Sequence, residues 1–300
     1  MRQNIAIKPS RSEFLPVRGL RYHIRHWGDP SAPKLFMMHG WMDMSASFQF
    51  MVDALQQEWH VIAPDWRGFG QTERGHGDSY WFPDYLADLD AILDHYAGDA
   101  AINLLGHSMG GNVVTLYAGL RPQRIRRLVN LEGLGLPPTK AEQAPGRLVQ
   151  WLDELKNRPL MRGYDSIDDV AARLQKNNAR LSDERAAFLA QHWSQQDESG
   201  LWQILGDPAH KQVSPVLYRV DEMMACWRRI TAPVLWIEAT NSDIWRFFGP
   251  ATLKREEIDR RIACVPNIQV EMIDDAGHML HHDQPEQLAR LIETFLQAAP

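Results

Sequence analysis

The chain is predicted to fold as an α/β protein: a mostly parallel central sheet with helices on both faces and an inserted helical cap. Three observations carry this expectation. Short continuous apolar runs at 34–39, 59–63, 101–105 and 125–131 have the length and β-rich character of strands buried on both faces. Amphipathic helical stretches alternate with them, as parallel crossovers require. From about 136 to 226 strand-like runs stop and helical patterns with Pro and Gly breaks take over, after which strand signals resume at 233–237 and 268–273. Strands on both sides of that block make it an insertion, so residues 1–135 and 227–300 are read as the core and 136–226 as the cap.

The elements follow in order. Residues 19–28 alternate and read as a strand antiparallel to the segment before it. A helix is expected from about Pro83 to Tyr96, where Tyr85, Leu86, Leu89, Ile92, Leu93 and Tyr96 share one stripe and Pro83 suits the first turn. A second helix, 112–120, is stopped by Arg121-Pro122. The last starts near Gln284-Pro285 and aligns Leu288, Leu291, Ile292, Phe295 and Leu296.

Bulk properties remove several function classes. The net charge of −6 is spread over interspersed acids and bases, so no basic stripe suggests a nucleic-acid partner. No apolar run approaches the roughly 20 residues of a membrane span, and the N-terminus lacks an apolar signal core, so a cytoplasmic location is expected. Cys226 and Cys264 have no metal or redox spacing and read as small apolar residues. Eleven tryptophans in 300 residues are unusual, and several fall in the cap.

Chemistry concentrates at Gly106-His107-Ser108-Met109-Gly110, which fits G-x-S-x-G. A buried strand runs into it and a helix leaves it, the strand–turn–helix setting in which a serine is held exposed as a nucleophile. Its position at the carboxyl end of a parallel strand is where open α/β sheets bind ligands.

His39-Gly40-Trp41, the PDWRGFG run, GHSMGG and the late AGH together resemble the α/β-hydrolase family, in the family's order from about residue 19 to 297. The wording HGWMDMSASF and VNLEGLGLP is similar to its serine-hydrolase-like subgroup. The resemblance implies an oxyanion hole from the N–H groups of Met109 and Trp41. His278, after the last strand, is the expected base. The family's order of serine, acid, histidine makes Asp243 the expected acid, with Glu132 as the alternative and Glu238 a weaker third. Asp43 is expected to cap the helix near Ser45, and Asp65 to organise its turn with Arg67. His281 and His282 are expected to be solvated near a helix start. His278, His281 and His282 spell H-x-x-H-H, but no second cluster supplies further ligands in order, so no metal and no cofactor are expected.

The expected partner is a small apolar ester-like substrate, and a homodimer is allowed. Trp66 and Trp41 would wall the pocket, with cap residues such as Trp151, Met161, Trp193, Trp202, Met223, Met224 and Trp227 adding to it. The resulting expectation is hydrolysis of a carboxylic ester through an acyl-enzyme. The same residues could serve a thioester, lactone, amide or carbon–carbon bond, or a ligand sensor on the same fold. Serine at 108 speaks against epoxide hydrolysis and dehalogenation, which use aspartate there.

Overall fold

Each apolar run of the sequence becomes a strand of one sheet. The computed structural model describes residues 7–244 and 254–298. Among them, strands β1 (Ser10–Val17), β2 (Leu20–Trp27), β3 (Lys34–Met38), β4 (His60–Pro64), β5 (Ile102–His107) and β6 (Ile125–Leu131) come first. A two-stranded ribbon of β7 (Ser194–Gln196) and β8 (Trp202–Ile204) follows, then β9 (Val234–Ala239) and β10 (Ile268–Ile273). The large sheet has the order β1-β2-β4-β3-β5-β6-β9-β10. Neighbours from β4 to β10 are parallel, and only β2 runs against its neighbours.

Helices cover both faces. They are α1 (Gln49–Ala54), α2 (Phe82–Ala97), α3 (Met109–Leu120), α4 (Ala144–Lys156), α5 (Ile167–Asn177), α6 (Asp183–Trp193), α7 (Val220–Trp227), α8 (Arg255–Ile262), α9 (Leu280–Asp283) and α10 (Pro285–Gln297). Strand alternation sorts the core into two layers. Leu104, Leu128, Val234 and Trp236 pack with α2, α3, α7 and α8, whereas Leu105, Val129, Leu235 and Ile237 pack with α1, α9 and α10. Both faces of β5, β6 and β9 are therefore dry, which is why their sequences read as unbroken apolar runs. No helix among the described residues is long and apolar enough to cross a membrane.

Between β6 and β9 the chain is mainly helical, with two departures from expectation. The ribbon β7–β8 was not anticipated, because three-residue strands bearing Gln195, Gln196 and Gln203 show no apolar alternation. Met223, Met224 and Trp227 do not line a pocket; α7 packs on α3 and buries all three in the sheet's core. α5 and α6 form a small separate core around Val170, Leu174 and Leu189, against which Trp193 and Trp202 pack. The segment is held to the sheet at His210, whose ring is sandwiched between Phe69 and Tyr80 at centroid distances of 3.7 and 3.6 Å.

Candidate active site

β5 delivers Ser108 to the end of the sheet. Ser108 has φ 53° and ψ −115°, a conformation that L-residues rarely adopt, and α3 starts at the next residue. Side chains are excluded two positions either side, at Gly106 by the tight return of the helix on its strand and at Gly110 by the backbone at the end of β3. A Cβ on Gly106 would come 2.4 Å from the Gly110 carbonyl oxygen, and one on Gly110 would come 2.2 Å from that of Met38. Here the G-x-S-x-G pattern is a packing requirement. The Ser108 N–H donates to Leu131 O at 2.8 Å, tying the turn to the end of β6.

His278 lies in the turn after β10 and faces Ser108. Its Nε2 is 2.9 Å from Ser108 Oγ, and its Nδ1 is 3.1 Å from Glu132 Oε2. The carboxylate at the imidazole is thus the alternative, Glu132, where Asp243 was expected. The reason lies at the end of β6. Asn130 Oδ1 accepts from Gly133 N at 2.7 Å and its amide donates to Thr115 Oγ1 at 2.8 Å. This closes a turn that holds Glu132 at φ 55° and directs its side chain across the end of β9. There Oε1 accepts from Ala239 N at 2.8 Å and Oε2 accepts from the Ser242 hydroxyl. Asp243 follows in the same loop, close enough for its charge to act on Glu132.

Burial pushes the Glu132 carboxyl up to about 7, against the opposing effect of the Ser242 hydroxyl and the Ala239 N–H. A folded pKa above the unfolded value of 4.5 means that ionisation weakens the fold as pH rises from 4.5 to about 7. Below 4.5 both states are protonated and this cost is absent. Glu132→Gln should therefore gain stability relative to wild type on going from about pH 5 to about pH 8, read as urea midpoints.

The loop after β3 closes the other side. A Cβ on Gly40 would sit 3.0 Å from His107 Nδ1 and 3.2 Å from Ser108 Cβ, so glycine lets this loop approach the Ser108 turn without crowding it. His39 anchors the loop: its Nδ1 donates to Gly40 O and its Nε2 accepts from Trp66 N, both at 2.8 Å. Burial lowers its pKa to about 4, so the ring stays neutral and keeps that tautomer. Trp41 is 42% exposed, with its indole donating to His210 O at 3.2 Å. Met109 is half-buried at the start of α3. Trp66 departs from expectation. It is fully buried against Tyr85, with its indole on His39 O at 3.0 Å, so it supports the loop from behind and walls no pocket.

A family described as alpha/beta hydrolase fold matches residues 33–285. The chain belongs to the α/β-hydrolase family. Within it, the chain is 25% identical over 301 residues to a serine hydrolase-like protein of the zebrafish Danio rerio, covering 97% of this chain and 90% of that one. It is 22% identical over 281 residues to human serine hydrolase-like protein 2, covering 90% and 89%. Among solved structures, a thioesterase domain from the curacin biosynthetic pathway superposes with a TM-score of 0.84 at 24% identity, covering 95% and 99%, which shows the shared fold.

In this α/β-hydrolase three further expectations are corrected. Asp65 does not pair with Arg67. It accepts from Ser45 N at 2.7 Å and meets His23 Nδ1 at 2.7 Å, while Arg67 is bound by Asp88. Because Asp65 takes the Ser45 N–H, Asp43 makes no helix cap. His281 and His282 are not solvated; both are buried, and their Nε2 atoms lie 3.0 and 2.6 Å from Ser47 Oγ. Ser242, which donates to Glu132, was missed because a serine in a polar loop carries no sequence signal.

Burial pushes the Asp43 carboxyl up to about 7. Met44 N–H, the Ser47 hydroxyl and the Trp193 indole lie near enough to moderate this, yet neither carboxylate oxygen has a partner at hydrogen-bond geometry.

Proposed function

We propose that this α/β-hydrolase cleaves carboxylic esters of small apolar molecules through an acyl-enzyme, with Ser108 as nucleophile, His278 as base and Glu132 as acid. The observation that carries the reading is the continuous chain of contacts from Ser108 Oγ through both nitrogens of His278 to a buried carboxylate. In the first half-reaction Ser108 Oγ attacks the ester carbonyl carbon and His278 Nε2 takes its proton. That proton passes to the departing alcohol as the carbon–oxygen bond breaks. Water then repeats the sequence and releases the acid. Glu132 keeps the proton on Nδ1 and balances the imidazolium. The N–H groups of Met109 and Trp41 would receive the oxyanion, supported by the approach of Gly40 to Ser108.

Residues 136–226 are proposed to form a cap over this end of the sheet. Exposed Trp41 and half-buried Met42 and Met109 favour an apolar acyl group. A series of p-nitrophenyl esters tests the reading, together with a fluorophosphonate probe. The probe should label Ser108, and kcat/KM should rise about fourfold per added methylene until the pocket is full. Absence of both labelling and turnover would turn the reading to a ligand sensor.

A further inference from the structure

Behind the nucleophile lies a buried group of polar side-chain atoms with no partner at hydrogen-bond geometry. One ligand atom from each of Asp43, His107 and His281 lies within 4.8 Å of the other two, and all three residues are buried. Asp43 Oδ1 and Oδ2, His107 Nδ1 and His281 Nδ1 have no hydrogen-bond partner. The protonation of His107 follows from its other contact. Its Nε2 is 2.8 Å from the His278 carbonyl oxygen, which can only accept, so Nε2 carries the proton and Nδ1 a bare lone pair. A Cβ on Gly40 would come 3.0 Å from that nitrogen. His281 is braced in turn by Ser47, whose hydroxyl also meets His282.

Two imidazoles and a carboxylate converging in a buried site, one ring held at Nε2 by the His278 carbonyl and the other met at Nε2 by the Ser47 hydroxyl, is the ligand chemistry of a divalent transition ion. We propose that Asp43, His107 and His281 form a binding site for a zinc-type divalent ion. The ligands come from the loop after β3, from the nucleophile turn and from α9. Their order in the chain hides the site, although His281 belongs to the H-x-x-H-H run. An ion there would grip the imidazole whose other nitrogen holds the His278 carbonyl, so its occupancy would bear on the placement of the base.

The test reads binding and not turnover, so its failure is separate from any failure of the esterase reading. Chelator-treated protein is titrated with Zn2+ by calorimetry and with Co2+ by visible absorption, as wild type and as Asp43→Asn, His281→Gln and Ser108→Ala. One ion per chain is expected. Affinity should fall at least about tenfold in the first two variants and hold in Ser108→Ala, and Co2+ should give the intense band of four-coordinate geometry. The proposal is overturned by no saturable uptake, in which case buried water satisfies these atoms. It is also overturned by the weak spectrum of a six-coordinate surface ion, or by wild-type affinity in either ligand variant. Should those variants fail to fold, the wild-type Co2+ spectrum decides alone.

Discussion

Replacing Ser108 with alanine should lower kcat for ester hydrolysis by roughly 10^5- to 10^6-fold and abolish fluorophosphonate labelling. The expected size follows from what is removed and what remains. Without Oγ there is no acyl-enzyme, and His278 Nε2 loses the partner that stands 2.9 Å away. The backbone around Gly40 and Met109 is untouched, so the variant should bind substrate with little change in KM. It should keep roughly 10^3-fold catalysis over water from oxyanion stabilisation alone. A variant with undiminished kcat, confirmed free of wild-type protein by mass, would remove Ser108 from the mechanism.

Glu132→Gln should lower kcat by about 10^4-fold, whereas Asp243→Asn should stay within about tenfold of wild type. Glutamine keeps the shape and can still accept from Ala239 N, but its amide would turn N–H donors toward His278 Nδ1. That favours the tautomer with the proton on Nε2, which cannot take the proton of Ser108. Asp243 acts on this centre through charge: its removal relieves repulsion on Glu132, a smaller effect than losing the contact at Nδ1. Steady-state kinetics on one ester, with both variants side by side, reads the difference. A collapse confined to Asp243→Asn would return the acid's role to that residue.

The parts of this molecule that were legible in its sequence are those whose causes are local. β5, β6 and β9 announce themselves because both faces are dry, and the Ser108 turn in part because glycine is forced at 106 by the Gly110 carbonyl four residues on; at 110 it is forced by the Met38 carbonyl of β3, a contact from far off in the chain. His278 could be placed beside Ser108 because it follows the last strand. Its carboxylate partner could not. β6 and β9 are parallel neighbours, so Glu132 and Asp243 arrive at the same end of the sheet, and nothing in their flanking residues orders them. The choice is made by the Asn130 turn and by donors at Ala239 and Ser242, more than a hundred residues away. The Asp43 site has the same origin. A cap is the local use of that residue, but Asp65, from the turn after β4, takes the Ser45 N–H. Likewise the burial of His281 and His282 depends on Ser47, far off in the chain.

The backbone of Ser108 carries a consequence for anyone who evolves this protein in the laboratory. At φ 53° Ser108 occupies a conformation that glycine takes at no cost, whereas serine forfeits on the order of 1–3 kcal/mol to hold it. Thermal selection applied without an activity filter would therefore enrich glycine at 108 among its most robust survivors, and, on the role proposed for Ser108, a library sorted for heat resistance would fill with inert descendants. In that role the serine is a standing thermodynamic debt, which only selection for turnover maintains.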